Sequence, residues 1–269
     1  MPVFARVSAG PRADRSDPVV LVHGQVISSR YMVPTAELLA PEFRVFAPDL
    51  PGFGLSGKPK RVLSVPELAD ALAGWMEANA LERAALVANS LGCQVIVDLS
   101  VRRPELASAL VLAGPTIDPR GRNAAVQIAR WFMDWPGERP SLGLAHLQDY
   151  ARAGMRRALH TFRHALSDRI EDKLPLVQCP TLVVRGERDP IVPQRWAEEV
   201  TRLIPRGRLL VIPGGPHCVN YSTPRAFARV VRIFLRGCRP GNAHHRPSGE
   251  SLRADQAAAA INSLRDTRR

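Results

Sequence analysis

Lysine is nearly absent from this chain. Only three of its 37 lysine and arginine residues are lysine (Lys58, Lys60, Lys173), against 25 acidic residues and a formal net charge of +12. A surplus of that size points to nucleic acid when it is clustered. Here the arginines are spread along the chain, with no basic run and no interleaved aromatics, so no nucleic-acid partner is expected. Long apolar runs are missing too. No stretch reaches the roughly 18 residues that a membrane-spanning helix needs. Met1–Arg6 opens no long apolar stretch, so no secretory signal is expected. Cysteine is scarce: Cys93, Cys179, Cys218 and Cys238 have no short regular spacing, which predicts reduced thiols in a cytoplasm. Cys93 and Cys218 read as small buried hydrophobes. There is no G-x-G-x-x-G, no P-loop and no grouped His/Cys set, so neither nucleotide, metal nor other cofactor is expected. His160 and His164 have helical i,i+4 spacing, but lack the glutamate and third ligand of a zinc helix and read as surface residues. His244 and His245 read as part of a solvated tail.

What is present is an alternation. The 45% apolar content suffices for one large core. Strand-like runs recur at Val19–Val22, Phe43–Ala47, Ala109–Ala113, Pro180–Val184 and Arg208–Ile212. Helical stretches lie between several of them, so the class is α/β with a mostly parallel sheet and crossover helices. Ser64-x-x-Glu67 is a capping box that opens a helix to about Asn79. Thr223-Pro224 opens another to about Leu235. The alternation breaks between Ala113 and Thr181. A core of residues 1–117 and 178–237 is therefore expected to carry a helical cap at 118–177, with 238–269 as a disordered, linker-like tail. The insertion holds Trp131, Phe132, Met133, Trp135, Tyr150, Met155 and Phe162. Most of these read as its own small core. Trp131 and Trp135, at i,i+4, are candidates to face a substrate.

One pentapeptide carries chemistry. Ala88-Asn89-Ser90-Leu91-Gly92 ends a strand and opens a helix-like stretch, in the small-x-Ser-x-Gly pattern of a nucleophile elbow. On such a sharp turn the backbone passes close behind the serine Cβ, so the residues two before and two after must be small. A serine hydroxyl also needs a base, oriented by a third group. After the strand at 180–184 come Glu187 and Asp189, and after the strand at 208–212 comes His217. All follow the C-terminal ends of strands, the sheet edge where sites are built. Asp118 follows the preceding strand and competes for the acid's place. Asp189-Pro190 fixes an extended backbone there, which favours Asp189. Earlier, Val19–Val22 runs into His23-Gly24-Gln25, placed to supply one backbone N–H of an oxyanion hole, with Leu91 supplying the other. Asp49 opens a Pro/Gly turn and reads as structural.

Taken together, His23-Gly24, Asp49-Leu50-Pro51-Gly52-Phe53-Gly54-Leu55-Ser56, Asn89-Ser90-Leu91-Gly92, Gly186-Glu187-Arg188-Asp189-Pro190-Ile191-Val192-Pro193 and Pro216-His217 resemble the α/β-hydrolase superfamily, in its serine-nucleophile, capped branch. The resemblance covers roughly residues 3–236. It implies Ser90 as nucleophile, His217 as general base, Asp189 as its orienting acid, and Gln25 with Leu91 as oxyanion donors. The stretch before His23 is short, so the first of the usual eight strands is expected to be missing. Ser90 argues against dehalogenases and epoxide hydrolases of this fold, which use aspartate at the elbow. The resemblance implies a cofactor-free carboxylesterase-like enzyme for a small, largely apolar ester. C–C bond hydrolases, perhydrolases and acyltransferases share the triad, and a ligand receptor on the same fold is a further alternative. The C–C hydrolases usually carry Trp beside the histidine and Gly-Pro-Gly after the first His-Gly. Here Cys218 and Gln25-Val26-Ile27 stand in those places. Fold alone does not choose among these chemistries.

Overall fold

The computed structural model describes residues 1–9 and 18–238. Its strands are β1 (Ala5–Val7), β2 (Val19–Val22), β3 (Val45–Pro48), β4 (Ala84–Asn89), β5 (Ala107–Ala113), β6 (Thr181–Gly186) and β7 (Gly207–Ile212). They form one sheet in the order β1-β3-β2-β4-β5-β6-β7. Only β1 runs antiparallel, pairing Ala5 with Pro48 and Val7 with Phe46. Every residue of β2, β4 and β6 is buried, as both faces of a parallel sheet demand. The period-2 pleat divides each strand between two cores. Val20, Leu86, Leu110 and Val183 pack on one face, and Leu21, Val87, Val111 and Val184 on the other.

Helices cover both faces. α1 (Val33–Leu39) lies on the second face. α2 (Val65–Ala78) and α3 (Leu91–Arg102) lie on the first. Between β5 and β6 come α4 (Ala124–Asp134), α5 (Pro140–Ala153), α6 (Met155–Ser167) and the short α7 (Ile170–Lys173). The chain then adds α8 (Gln194–Leu203), α9 (Val219–Ser222) and α10 (Pro224–Gly237). Ile170 and Leu174 are fully buried in the same core as α2, α3 and α8, so the end of the inserted stretch is anchored beneath the sheet rather than above its edge.

The parallel registers bring the strand ends level. Val22 lies opposite Ala88, Ala88 opposite Leu112, Ala113 opposite Val184, and Gly186 opposite Ile212. The segments that follow, at His23, Ser90, Gly114, Asp189 and His217, therefore emerge along one edge.

Seven strands are present among the described residues. The capping box forms, the Glu67 carboxylate accepting from both the N–H and the hydroxyl of Ser64 at 2.9 Å. Thr223 stands at an N-cap, but its hydroxyl turns back to the Val219 carbonyl at 3.1 Å and caps nothing. His160 and His164, expected at the surface, are half-buried on α6. The expected tail, with His244 and His245, lies outside the described residues from 239 onward. Cys238 closes α10. Among the described residues no helix is long and apolar enough to cross a membrane.

Candidate active site

Ser90 sits alone between β4 and α3, at φ 56° and ψ −125°. A non-glycine residue at positive φ is uncommon and is kept only where its surroundings over-determine it. Here the Ser90 N–H donates to the Ala113 carbonyl at 3.0 Å, and the Cys93 N–H donates to the Ser90 carbonyl at 2.9 Å. A Cβ at Gly92 would lie 2.7 Å from the carbonyl oxygens of Val22 and His23, and 3.2 Å from the Ala88 Cβ. The demand for small residues on both sides of Ser90 is thus a steric fact of this turn.

Across the strand ends, the His217 Nδ1–H donates to Asp189 Oδ2 at 2.8 Å, with both side chains buried. Asp189 is held in turn: its Oδ1 accepts the backbone N–H groups of Ile191 (2.8 Å) and Val192 (3.0 Å). The buried Arg185 guanidinium donates to the carbonyls of Glu187, Asp189 and Val192, fixing the loop that carries the acid. A Cβ at Gly114 would come within 2.8 Å of the imidazole, so this position must be bare. Burial pulls the His217 pKa down, but Asp189, then Asp134 and Glu138, outweigh it and push it up to about 9. His217 Nε2 has no hydrogen-bond partner among the described residues.

The competing carboxylates are engaged elsewhere. Asp118 forms ion pairs with Arg130 and Arg195, and its Oδ1 accepts the Arg120 N–H. The exposed Glu187 accepts the Gly214 N–H at 2.7 Å. Asp49 accepts the N–H groups of Ser29 (2.6 Å) and Leu55 (2.8 Å), tying its turn to the loop after β2. His23 is locked under that turn, donating to the Gly24 carbonyl and accepting the Leu50 N–H, both at 2.8 Å.

Three residues at the site, Tyr31, Asp134 and Glu138, were not legible in the sequence, nor was the long-range link made by a fourth, Asn89. Tyr31 Oη accepts the Gly24 N–H at 2.8 Å and donates to Asn89 Oδ1 at 2.9 Å. Asn89 Nδ2 then donates to the carbonyls of Ala113 and His217, each at 3.1 Å. One buried chain of hydrogen bonds therefore links the loop after β2, the elbow and the histidine loop. On the other side, Asp134 at the end of α4 accepts the His217 N–H at 3.0 Å. Glu138, four residues on, accepts the next N–H, that of Cys218, at 2.6 Å, and also the Ser222 hydroxyl. Burial first, with Glu138 and Asp189 adding to it, pushes the Asp134 pKa up to about 7 against the pull of His217.

These groups line a cavity of about 780 Å³ whose walls include Ser90, His217, Gln25 and Leu91. Neither the Gln25 nor the Leu91 backbone N–H has a hydrogen-bond partner among the described residues. Val26, the next residue, is fully buried at φ 50°, a conformation a β-branched residue adopts only under constraint. Trp131 and Trp135 both line the cavity, their ring centroids 5.2 Å apart. Met133 points away and is exposed, while Phe132, Tyr150, Met155 and Phe162 also reach the wall. Buried Cys93 and Cys218 are free, and burial pushes both thiols up, which makes them poor nucleophiles. Among the described residues no group of three His, Cys, Asp or Glu could hold a metal ion. The chemistry on offer is nucleophilic: a serine on a strained turn, an imidazole with an open nitrogen, a carboxylate behind it, and two unpaired backbone N–H groups.

Residues 19–230 match the model of a family described as Alpha/beta hydrolase family. The chain is 29% identical over 248 residues to a 2-hydroxy-6-oxo-2,4-heptadienoate hydrolase of Pseudomonas putida, covering 81% of this chain and 89% of that protein. It is 23% identical over 256 residues to Esterase YbfF of Escherichia coli, covering 87% and 99%. Among solved structures, a bromoperoxidase from Bacillus anthracis superposes with a TM-score of 0.75 at 21% identity, over 87% of this chain and 95% of that one.

Proposed function

Because the chain belongs to the α/β-hydrolase family, we propose that it is a cofactor-free serine hydrolase that cleaves an ester of a small, largely apolar substrate through an acyl-enzyme. The observation that carries this reading is the open Nε2 of His217, backed by Asp189, on the wall of the apolar cavity that Ser90 also lines. In this mechanism Ser90 Oγ attacks the ester carbonyl carbon as its proton passes to His217 Nε2. Asp189 stabilises the imidazolium, and the tetrahedral oxyanion takes hydrogen bonds from the N–H groups of Gln25 and Leu91. The C–O bond to the leaving alcohol breaks and the alcohol departs with the histidine's proton. Water then repeats the sequence on the acyl-enzyme.

Within the 118–177 segment, α4–α6 serve as the cap that sets substrate choice. A cavity of about 780 Å³ lies in the size range of small-molecule sites, and each CH₂ buried there contributes about 0.8 kcal/mol. Such binding acts equally on ground and transition states, so it moves KM more than kcat. A panel of p-nitrophenyl esters from acetate to octanoate tests the reading, run beside a meta-cleavage dienoate because one relative carries that hydrolase's name. Ester turnover with stoichiometric phosphonate labelling of Ser90 supports it. Turnover of the dienoate alone replaces it with the C–C reading. Trp131→Ala and Trp135→Ala are expected to shift the preferred acyl length while labelling of Ser90 persists. An unchanged chain-length profile in both would assign these rings to internal packing.

The raised pKa of His217 has a sign. The base must be neutral to accept a proton, so kcat/KM is expected to rise with pH through a midpoint above the ordinary histidine value of 6.5. Asp134→Asn keeps an acceptor for the His217 N–H but removes one negative charge. It should move that midpoint down by about 1 unit, measured as the acid limb of the kcat/KM profile. A wild-type midpoint at or below 6.5, unmoved in the variant, would show that Asp134 does not act on this base. The same shift gives stability that is fully present below 6.5 and is lost as pH rises through about 9.

A further inference from the structure

Two observations on the outer surface of α4–α6 go beyond the proposed reaction. The first is apolar. Ile128, Phe132, Met133, Trp135, Met155 and Leu159 are 44–69 % exposed, and all but Met133 also line the cavity. Its mouth is therefore rimmed by large apolar side chains open to water, where a water-soluble surface ordinarily avoids a contiguous apolar patch.

The second is charge. Between residues 124 and 167 the only exposed charged side chains are Arg139, Arg152, Arg156 and Arg163. The three carboxylates in that span face inward: Asp134 and Asp149 are buried, and Glu138 is held on the Cys218 N–H. None of the four guanidinium groups has an ion-pair or hydrogen-bond partner among the described residues. Three of them belong to the same rim. Arg139 lines the cavity, Arg163 lies four residues, one helical turn, beyond Leu159 on α6, and Arg156 lies seven residues, two turns, before Arg163 on the same face.

Exposed apolar side chains ringed by unpaired arginines match an interface that is apolar below and anionic above. Nucleic acid offers phosphates to the arginines but nothing to Met155 or Leu159. A second copy, meeting this face about a two-fold axis, would set arginines against arginines. We propose that the α4–α6 face docks on an anionic lipid bilayer, with the cavity mouth turned toward the acyl layer and Arg139, Arg156 and Arg163 on the headgroups. This docking needs no catalytic residue and stands whether or not the esterase reading holds.

The test is co-sedimentation of the full chain with vesicles of phosphatidylcholine alone and of phosphatidylcholine mixed with phosphatidylglycerol. Binding is expected only to the mixed vesicles, weakening as salt is raised. Arg156→Gln and Arg163→Gln should each weaken it by about fivefold, and Met155→Ser, at the exposed mouth of the cavity, should weaken it further, with thermal unfolding measured to confirm that each variant is folded. Folded variants that bind as tightly as the wild type would overturn the proposal. So would absence of binding to mixed vesicles at low salt, displacement of bound protein from the vesicles by duplex DNA, or a dimer in size-exclusion chromatography that the same substitutions dissociate.

Discussion

Ser90→Ala is expected to abolish ester turnover, by a factor on the order of 10⁴ to 10⁶ in kcat, and to leave the fold intact. The size of the loss follows from what the side chain does in the proposed reaction: no neighbouring group can replace Oγ. Cys93 is three residues on, but its thiol is buried and directed at the carbonyls of Ala88 and Ala113. The tolerance of the fold follows from where strain and support lie. Ser90 is held by its backbone, through Ala113 and Cys93, and alanine is no worse than serine at φ 56°. Thermal unfolding should therefore stay within about 0.5 kcal/mol of wild type, and kcat on the preferred p-nitrophenyl ester measures the rest. A variant that keeps more than a tenth of wild-type activity would sink the assignment.

Asp189→Asn is expected to cost roughly 10⁴-fold in kcat, and the local hydrogen bonds say why a near-isosteric change is so damaging. Asp189 Oδ1 accepts two backbone N–H groups, from Ile191 and Val192. An asparagine in this place must present its carbonyl oxygen to those donors, which directs its NH₂ at His217 Nδ1. That nitrogen then becomes an acceptor, the proton resides on Nε2, and the imidazole can no longer take a proton from Ser90. Asp118→Asn serves as the control. It weakens ion pairs to Arg130 and Arg195, so it should lower stability while kcat stays near wild type. Full activity in Asp189→Asn with loss in Asp118→Asn would move the acid to the earlier strand.

How much of this was legible beforehand depended on how local each cause was. The elbow could be read because its pattern lies within five residues, although what enforces it does not: a Cβ at Gly92 would stand 2.7 Å from the carbonyl oxygens of Val22 and His23 and 3.2 Å from the Ala88 Cβ. The strands at 19–22 and 109–113 announced themselves as short apolar runs. β6 extends two residues beyond the expected end because Arg185, which polarity assigns to a loop, is buried against three carbonyls. Tyr31, Asp134 and Glu138 carried no signal at all. Their partners are 58, 83 and 80 residues away, and a tyrosine or carboxylate on a helix looks solvated until the chain folds back on it. Asn89 was in view as an elbow residue, but its link to the His217 carbonyl, 128 residues on, was not.

The turn from Asp134 to Glu138 belongs to two structures at once. Its Trp135 and Pro136 wall the cavity, and its two carboxylates grip consecutive N–H groups of the loop that carries His217. Any redesign that reshapes this wall to admit a different molecule therefore also retunes the imidazole. Transplanting the α4–α5 stretch from a relative would transfer part of that relative's pH response along with its selectivity. A change of specificity that keeps the working pH is therefore expected to require that Asp134 and Glu138 stay fixed while the residues between them change.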